Sequence, residues 1–299
     1  MKYRRLGKTD LEVSVIGIGT WQLGGEWGKE YTQAEADEVF EAGREAGINL
    51  IDTAECYGDH TSEILVGGAI QRDREKWIVA TKFGHGFTGF LKRDQLWSAD
   101  NVKKQLEDSL KALKTDYIDL YQFHSGNNEA FDNDELWKML EEQVKAGKVR
   151  HIGISATNSD LSVAEYQIEH ATAVGAQAIQ IYYNRLSRDP EEKMLPECQK
   201  HDLGVLARVP MASGFLSGQY KPGAQFGSSD VRSTRDREQV DKNLKEVERI
   251  QRDEVPEGVP MAGWALAWCL KHPAVTCVIP GCKNPDQVRK NAAAADIEL

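Results

Sequence analysis

Short apolar runs and longer amphipathic stretches alternate through all 299 residues of the chain. The runs are VSVIGIG (13–19), INLID (48–52), WIVATK (77–82), YIDLYQFH (117–124), VRHIGIS (149–155), AQAIQIYYN (176–184), LGVLARVP (203–210) and VTCVIPG (275–281), eight in all. Apolar runs of this length between helix-period segments read as buried strands. Strands separated by helices pair in parallel, because each helix carries the chain back to the edge where the last strand began. Eight such units in one chain predict a (β/α)8 TIM barrel of the α/β class, as one domain over residues 1–299. A doubly wound open sheet shares the alternation and is the competing fold.

The intervening stretches have helical periodicity. Val102, Leu106, Leu110 and Leu113 fall at i, i+4, i+8 and i+11, one apolar stripe among lysines and glutamates. Residues 32–46, 61–72, 132–146, 159–173, 190–200, 261–271 and 285–294 read similarly, and EAGI and KAGK supply glycine C-cap signals. Two stretches fall outside the repeat. Residues 1–12 are expected to form a hairpin capping the barrel bottom. Residues 213–235 make a long Gly/Ser-rich loop after the seventh strand, followed by an extra charged helix over 236–252. A loop of that length is either functional or a tolerated surface insertion. GIGTWQ (17–22) begins like a dinucleotide fingerprint, but Gln22 breaks G-x-G-x-x-G and argues against a Rossmann domain.

Composition narrows the function classes. A hydrophobic share of 40% and a charged share of 28% fit a water-soluble globular protein. The formal net charge of -10 disfavours nucleic acid as a partner, while leaving room for a local basic pocket that takes one phosphate. No apolar run approaches the ~20 residues of a membrane span, and no apolar stretch follows the basic start, so neither a membrane partner nor a secretory signal is expected. The five cysteines show no CxxC spacing and the seven histidines no HxxxH pair, so no metal site and no disulfide framework are expected. The expectation is a cytoplasmic monomer.

In a parallel barrel the working side chains gather at the strand C-termini. Asp52, Lys82, His124 and Ser155 end the second to fifth runs, Gln180 and Asn184 lie in the sixth, and Tyr57 sits just beyond Asp52. Singly, each has an ordinary explanation, such as a solvated lysine or a satisfied histidine. Brought to one mouth, they form a proton-transfer set. Tyrosine, with a reference pKa of about 10, is a poor acid near neutrality, and a neighbouring ammonium lowers that value. Asp52 would hold Lys82 charged and oriented, and His124 would hydrogen-bond a carbonyl oxygen beside the Tyr57 hydroxyl. Such a set aims a proton donor at a carbonyl oxygen, the counterpart of a hydride arriving at its carbon.

NLIDTAECYGDHTSE, VATKFG, SLKALKTDYIDLYQFH, VRHIGIS, QIYYN and VIPGCKNPDQVRKNAAA, in this order, resemble the aldo-keto reductases, in a bacterial-type branch with IPG rather than IPK. The resemblance implies a barrel that reduces aldehydes or ketones to alcohols with a nicotinamide cofactor. Asp52, Tyr57, Lys82 and His124 match the catalytic tetrad, with Tyr57 as general acid. Ser155 and Gln180 match positions that bind the carboxamide, although the Asn that commonly follows that Ser is here Ala156, with Asn158 a candidate replacement. Arg208, in RVPM, stands where the family often stacks an aromatic ring on the nicotinamide. A guanidinium can stack too, but it adds positive charge beside a cofactor that becomes positive on oxidation. Thr20, Trp21 and Pro210 count among the cofactor-binding positions, Trp21 either lining the substrate mouth or packing in the core. Gly214, Leu216 and Ser217 belong to the segment folded over the pyrophosphate, which DVR (230–232) would help hold shut. Gly281 takes the place of the IPK lysine, Lys283 is placed to meet a 2′-phosphate, and Gln287 and Asn291 match contacts to phosphate and adenine. The cofactor expected is NADP(H), with NAD(H) as the alternative. Loops 83–97, 124–133 and 213–235 would shape the pocket, with Phe87, Phe90 and Trp97 giving an apolar mouth. Two other readings stay open: a non-catalytic or slow cofactor-sensing regulatory subunit of the same fold, and a Schiff-base aldolase with Lys82 as nucleophile.

Overall fold

In the computed structural model, which describes residues 1–299, the eight apolar runs form one parallel sheet. In chain order the strands are β1 (Tyr3–Arg5), β2 (Glu12–Ser14), β3 (Ile18–Gly19), β4 (Leu50–Asp52), β5 (Ile78–Phe83), β6 (His85–Gly89), β7 (Lys92–Gln95), β8 (Ile118–His124), β9 (Val149–Ser155), β10 (Ala176–Tyr182), β11 (Gly204–Arg208) and β12 (Cys277–Ile279). The main sheet runs β3-β4-β5-β8-β9-β10-β11-β12. Its ends meet: Ile16 bridges Val278, Gly19 bridges Gly281, and the Gly17 amide donates to the Val278 carbonyl at 2.8 Å. Closure removes the two edges an open sheet would leave, so the barrel and not the doubly wound sheet is formed.

Ten helices accompany the strands: α1 (Gln33–Glu45), α2 (Thr61–Ile70), α3 (Ala99–Leu113), α4 (Asn128–Phe131), α5 (Asp134–Lys145), α6 (Leu161–Glu169), α7 (Met194–Lys200), α8 (Arg237–Asp253), α9 (Met261–Lys271) and α10 (Pro285–Ala293). Their starts follow from side-chain caps. Thr32 and Glu35 form a reciprocal capping box on α1, and the Asn133 side chain accepts from the amides of Glu135 and Leu136. Asn133 therefore splits the helix expected over 132–146 into α4 and α5. Pro190 sits in a 3-10 turn, which delays the helix expected from 190 to Met194. No helix is long and apolar enough to cross a membrane.

The N-terminal hairpin caps the barrel bottom as expected. β1 and β2 pair antiparallel, and Leu6, Leu11 and Val13 pack on Leu50, Ala80, Leu120, Ala178 and Leu206 inside the barrel. Gly7 lies at φ 54, and a Cβ there would come within 2.0 Å of the Gly204 amide nitrogen. Side chains alternate along a strand, so the next inward position is two residues on. Two residues beyond that apolar layer stand Asp52, Lys82, Gln122, Gln180 and Arg208. The barrel interior thus changes from apolar to polar in one step, toward the strand C-termini.

Two regions depart from expectation. Residues 83–97, read as a loop, hold the antiparallel hairpin β6–β7. Its aromatic neighbours do not form the mouth. Trp97 packs inward on Phe123, with ring centroids 4.6 Å apart, Phe90 is exposed, and the Arg93 guanidinium lies over Phe87 at 5.0 Å. The long segment after β11 is not a loose insertion. Phe215 and Leu216 join Val240, Leu244, Val247 and Ile250 of α8 in a separate apolar cluster. The segment folds back on the loop after β3, where Trp27 bridges Asp230 and the Val231 amide donates to the Glu26 carbonyl at 3.0 Å.

Arg232 is the fastener. It donates to Asp230 Oδ1 at 2.9 Å and Oδ2 at 2.6 Å, donates to the Tyr220 hydroxyl at 2.8 Å, and lies over the Phe226 ring at 4.3 Å. Removing one member of a buried ion pair costs about 3–5 kcal/mol. Arg232→Ala is therefore expected to speed limited proteolysis within residues 218–230 by more than about tenfold, through local opening. Cleavage at the wild-type rate would contradict this role.

Candidate active site

The strand C-termini open into a cavity of about 490 Å³. At its floor, Lys82 is fully buried, and its ammonium has three acceptors: Asp52 Oδ1 at 2.9 Å, the Thr53 carbonyl at 2.7 Å and the Tyr57 hydroxyl oxygen at 3.2 Å. Asp52 Oδ2 accepts from Gln180 Nε2 at 2.6 Å and more weakly from Gln122 Nε2 at 3.4 Å. This is the polar layer of the barrel acting as one network, with the carboxylate saturated and the ammonium aimed at Tyr57.

Tyr57 is held by close backbone contact. Gly58 has φ 67, and a Cβ there would come 2.4 Å from the Gly24 carbonyl oxygen, while one on Gly24 would come 2.6 Å from the Tyr57 carbonyl carbon. Two glycines therefore let the loops after β3 and β4 touch. The Tyr57 ring stacks on Trp21, centroids 6.0 Å apart and 23° between planes. Trp21 lines the cavity and donates from Nε1 to Glu26 Oε2 at 2.8 Å. Glu26, which the sequence did not single out, also accepts from Arg93 Nη2 at 2.7 Å and from the Leu91 amide at 2.8 Å. One buried carboxylate thereby ties the β6–β7 hairpin to the substrate side of the cavity, where His85, Leu91 and Arg93 stand in place of the expected aromatic rings.

The environment sets the protonation states. Burial pushes the Tyr57 phenol up to about 12, and the Lys82 ammonium only partly offsets it. The cation acts in the expected direction, but desolvation outweighs it. Burial opposes the charge on Lys82 as well, yet Asp52 and Tyr57 prevail and hold its pKa above the ordinary lysine value. A lysine kept protonated, with every ammonium hydrogen engaged, has no lone pair to attack a carbonyl, which disfavours the Schiff-base reading. His124 lies well below the usual histidine range, through burial and then the nearby His85 and Lys82. Its imidazole is neutral and donates from one nitrogen only.

The cavity gathers most of the residues singled out from sequence. Thr20, Trp21, Asp52, Tyr57, His124, Gln180, Arg208, Pro210, Gly214, Ser217, Gly281, Lys283, Gln287 and Asn291 all line it. Four residues do not. Lys82 lies behind Tyr57, Ser155 is fully buried with Oγ donating to Gln180 Oε1 at 3.4 Å, Asn184 is fully buried with Nδ2 donating to the Val209 carbonyl at 3.1 Å, and the Leu216 side chain is buried in the cluster against α8. Arg208 donates from Nη2 to the Ala156 carbonyl at 3.1 Å and to Asn158 Oδ1 at 3.0 Å, while its buried Nε has no partner. At the far end, a Cβ on Gly281 would come within 1.9 Å of Gln22 Nε2, so the Gln22 amide fills the space beside that glycine. Lys283 lies 5.9 Å from the Trp27 ring centroid, near the N-terminus of α10, which Asn284 caps through the Gln287 amide.

A parallel barrel whose strand C-termini hold a buried Asp–Lys pair behind a tyrosine, facing a cavity that Lys283 also lines, has the architecture of a barrel enzyme. Residues 15–299 match the Aldo/keto reductase family, and the chain belongs to it. Members of that family are oxidoreductases. The chain is 34% identical over 305 residues to the uncharacterized oxidoreductase YqkF of Bacillus subtilis (strain 168), covering 99% of this chain and 92% of the relative. It is 32% identical over 298 residues to probable aldo-keto reductase 1 of Glycine max, covering 99% and 84%. Among solved structures, the holo form of aldo-keto reductase AKR11C1 from Bacillus halodurans matches with a TM-score of 0.83 at 32% identity, over 100% of this chain and 92% of that one.

Proposed function

We propose that the protein is an NADP(H)-dependent reductase of aldehydes and ketones in which Tyr57 is the proton donor. The observation that carries this reading is the hydrogen-bonded chain Asp52–Lys82–Tyr57, which opens into the same cavity as Arg208 and Lys283. The residues fit a dinucleotide along the cavity's length. The unpartnered Nε of Arg208 offers a donor, and Gly214, Ser217, Lys283, Gln287 and Asn291 line the same cavity. Lys283 is the residue that would favour a 2′-phosphate, and so NADP(H) over NAD(H). The nicotinamide, when bound, supplies a hydride for the carbonyl carbon.

The chain's own residues do the rest. His124, neutral, donates to the carbonyl oxygen and orients it, while Tyr57 passes its hydroxyl proton to that oxygen as charge develops there. Lys82 stabilises the resulting phenolate across the 3.2 Å contact, and Asp52 keeps Lys82 charged. Trp21 shields this end from water. A panel of aliphatic and aromatic aldehydes and ketones should give carbonyl-dependent loss of NADPH absorbance. No consumption with any of them would contradict the reading.

Arg208 has a separate consequence. Its charge has no carboxylate partner and would stand beside a ring that is cationic only when oxidised. Arg208→Leu is expected to tighten binding of oxidised relative to reduced cofactor by about tenfold, about 1.4 kcal/mol. Dissociation constants from fluorescence titration would check this, and an unchanged ratio would contradict it.

A further inference from the structure

Beside the proton-transfer network, the loop after β4 holds two residues that the mechanism leaves unused. A Glu55 carboxylate oxygen, Cys56 Sγ and a His124 ring nitrogen all lie within 4.8 Å of one another. Cys56 and His124 line the cavity, and Sγ is 3.8 Å from His124 Nδ1. A tetrahedral zinc ion, with Zn–S about 2.3 Å and Zn–N about 2.0 Å, sets its sulfur and nitrogen ligands roughly 3.5 Å apart. The observed pair is close to that spacing.

Glu55 supplies an independent sign of a missing partner. It is 2% exposed, its Oε1 accepts the His85 amide at 3.0 Å, and its Oε2 has no hydrogen-bond partner. Leaving such an oxygen unpaired in the interior is costly. The donor set of sulfur, imidazole nitrogen and carboxylate oxygen suits a borderline-soft dication, not magnesium or calcium.

We propose that Glu55, Cys56 and His124 form a binding site for Zn²⁺ or a cation of like chemistry, and that its occupation inhibits carbonyl binding. Thiolate and carboxylate together neutralise the dication. Of the cations around the site, Lys82 is paired with Asp52 at 2.9 Å and Arg93 with Glu26 at 2.7 Å, while Arg93 also bonds the Cys56 thiol, a contact the metal replaces, and Arg208 acts on His124 without a carboxylate partner. Binding releases the thiol proton, and any proton on Glu55, to solvent; zinc exchanges no electrons. Three protein ligands leave the fourth position open. A cation there stands on the wall of the cavity that Cys56 and His124 line, and so competes for space with a carbonyl substrate. This inhibition rests on carbonyl binding in that cavity as proposed above, whereas the metal binding itself does not.

The test uses the full chain without nucleotide, titrated with Co²⁺ as a spectroscopic substitute for zinc. A near-ultraviolet sulfur-to-cobalt charge-transfer band is expected, saturating at one equivalent and displaced by Zn²⁺. Cys56→Ser should abolish the band, because Cys198, Cys269, Cys277 and Cys282 are buried and outside the cavity lining. Glu55→Gln should keep the band but weaken Co²⁺ binding at least tenfold. No band in the wild type, or a band that survives Cys56→Ser, overturns the site whatever the activity. In steady state, Zn²⁺ should raise the KM for aldehyde more than tenfold at constant kcat, and that ratio should collapse in Cys56→Ser. Equal zinc sensitivity in both proteins overturns the inhibitory role, and a cobalt band in a protein without reductase activity leaves the site standing and removes the reductase reading.

Discussion

Tyr57→Phe is expected to lower the kcat of aldehyde reduction by about 10²–10⁴-fold, the usual contribution of a positioned proton donor. The substitution removes one oxygen and keeps the ring that stacks on Trp21. Nucleotide affinity should therefore stay within about threefold, well under 1 kcal/mol. Measuring kcat and the NADPH dissociation constant on one preparation separates the two effects. Turnover within a few-fold of wild type would end the assignment of Tyr57 as the acid. Loss of both quantities together would point to a collapsed loop and not to missing chemistry.

Lys82→Met should have the largest effect on stability. It leaves Asp52 buried without its cation, and breaking a buried pair from one side costs about 3–5 kcal/mol. The Thr53 carbonyl and the Tyr57 hydroxyl each lose a donor as well. Turnover should fall too, because the phenolate formed when Tyr57 gives up its proton would have no counter-ion. The sign of the pH dependence follows from the raised Lys82 pKa. A lysine whose folded pKa exceeds its unfolded value contributes its full stability below the unfolded value, and loses it only as pH rises through the folded one. The deficit of Lys82→Met relative to wild type should thus not shrink as pH rises from about 6 to 9, below the reference lysine value of about 10.4. Adding Asp52→Asn should restore part of the stability, since no orphan charge then remains, so the double variant should lose less than the sum of the singles. Additive losses in urea denaturation, or a deficit that shrinks as pH rises across that range, would contradict the coupling.

The barrel was legible in the sequence because its strands are buried on both faces and so read as continuous apolar runs. The strand-end residues were legible for a related reason: Asp52 and Lys82 interrupt apolar runs where the interior turns polar. Gln122 carried the same signal, two residues beyond Leu120, and counting in steps of two from the apolar layer would have found it. Glu26 carried none, since a single acid in a Gly/Trp-rich stretch looks like surface until the β6–β7 hairpin folds onto it. That hairpin was hidden by its glycines and charges, which break the alternation that marks a strand. Depth was not legible either. The sequence shows a lysine near Tyr57, but only the fold shows that burial outweighs it. Leu216 lies in the expected segment, yet whether its side chain meets the cavity or α8 depends on packing that no local pattern encodes.

We propose that the cavity takes a nicotinamide dinucleotide bearing a 2′-phosphate, placed against Tyr57. Trp21 and Trp27 both line that cavity and report on it directly. The most direct measurement is a titration of the purified protein with NADPH and then NADH, followed by quenching of tryptophan fluorescence. The expected result is saturable quenching by both, with NADPH at least tenfold tighter, about 1.4 kcal/mol. Equal affinities would remove the 2′-phosphate assignment to Lys283, and absence of quenching by either nucleotide would remove dinucleotide binding altogether.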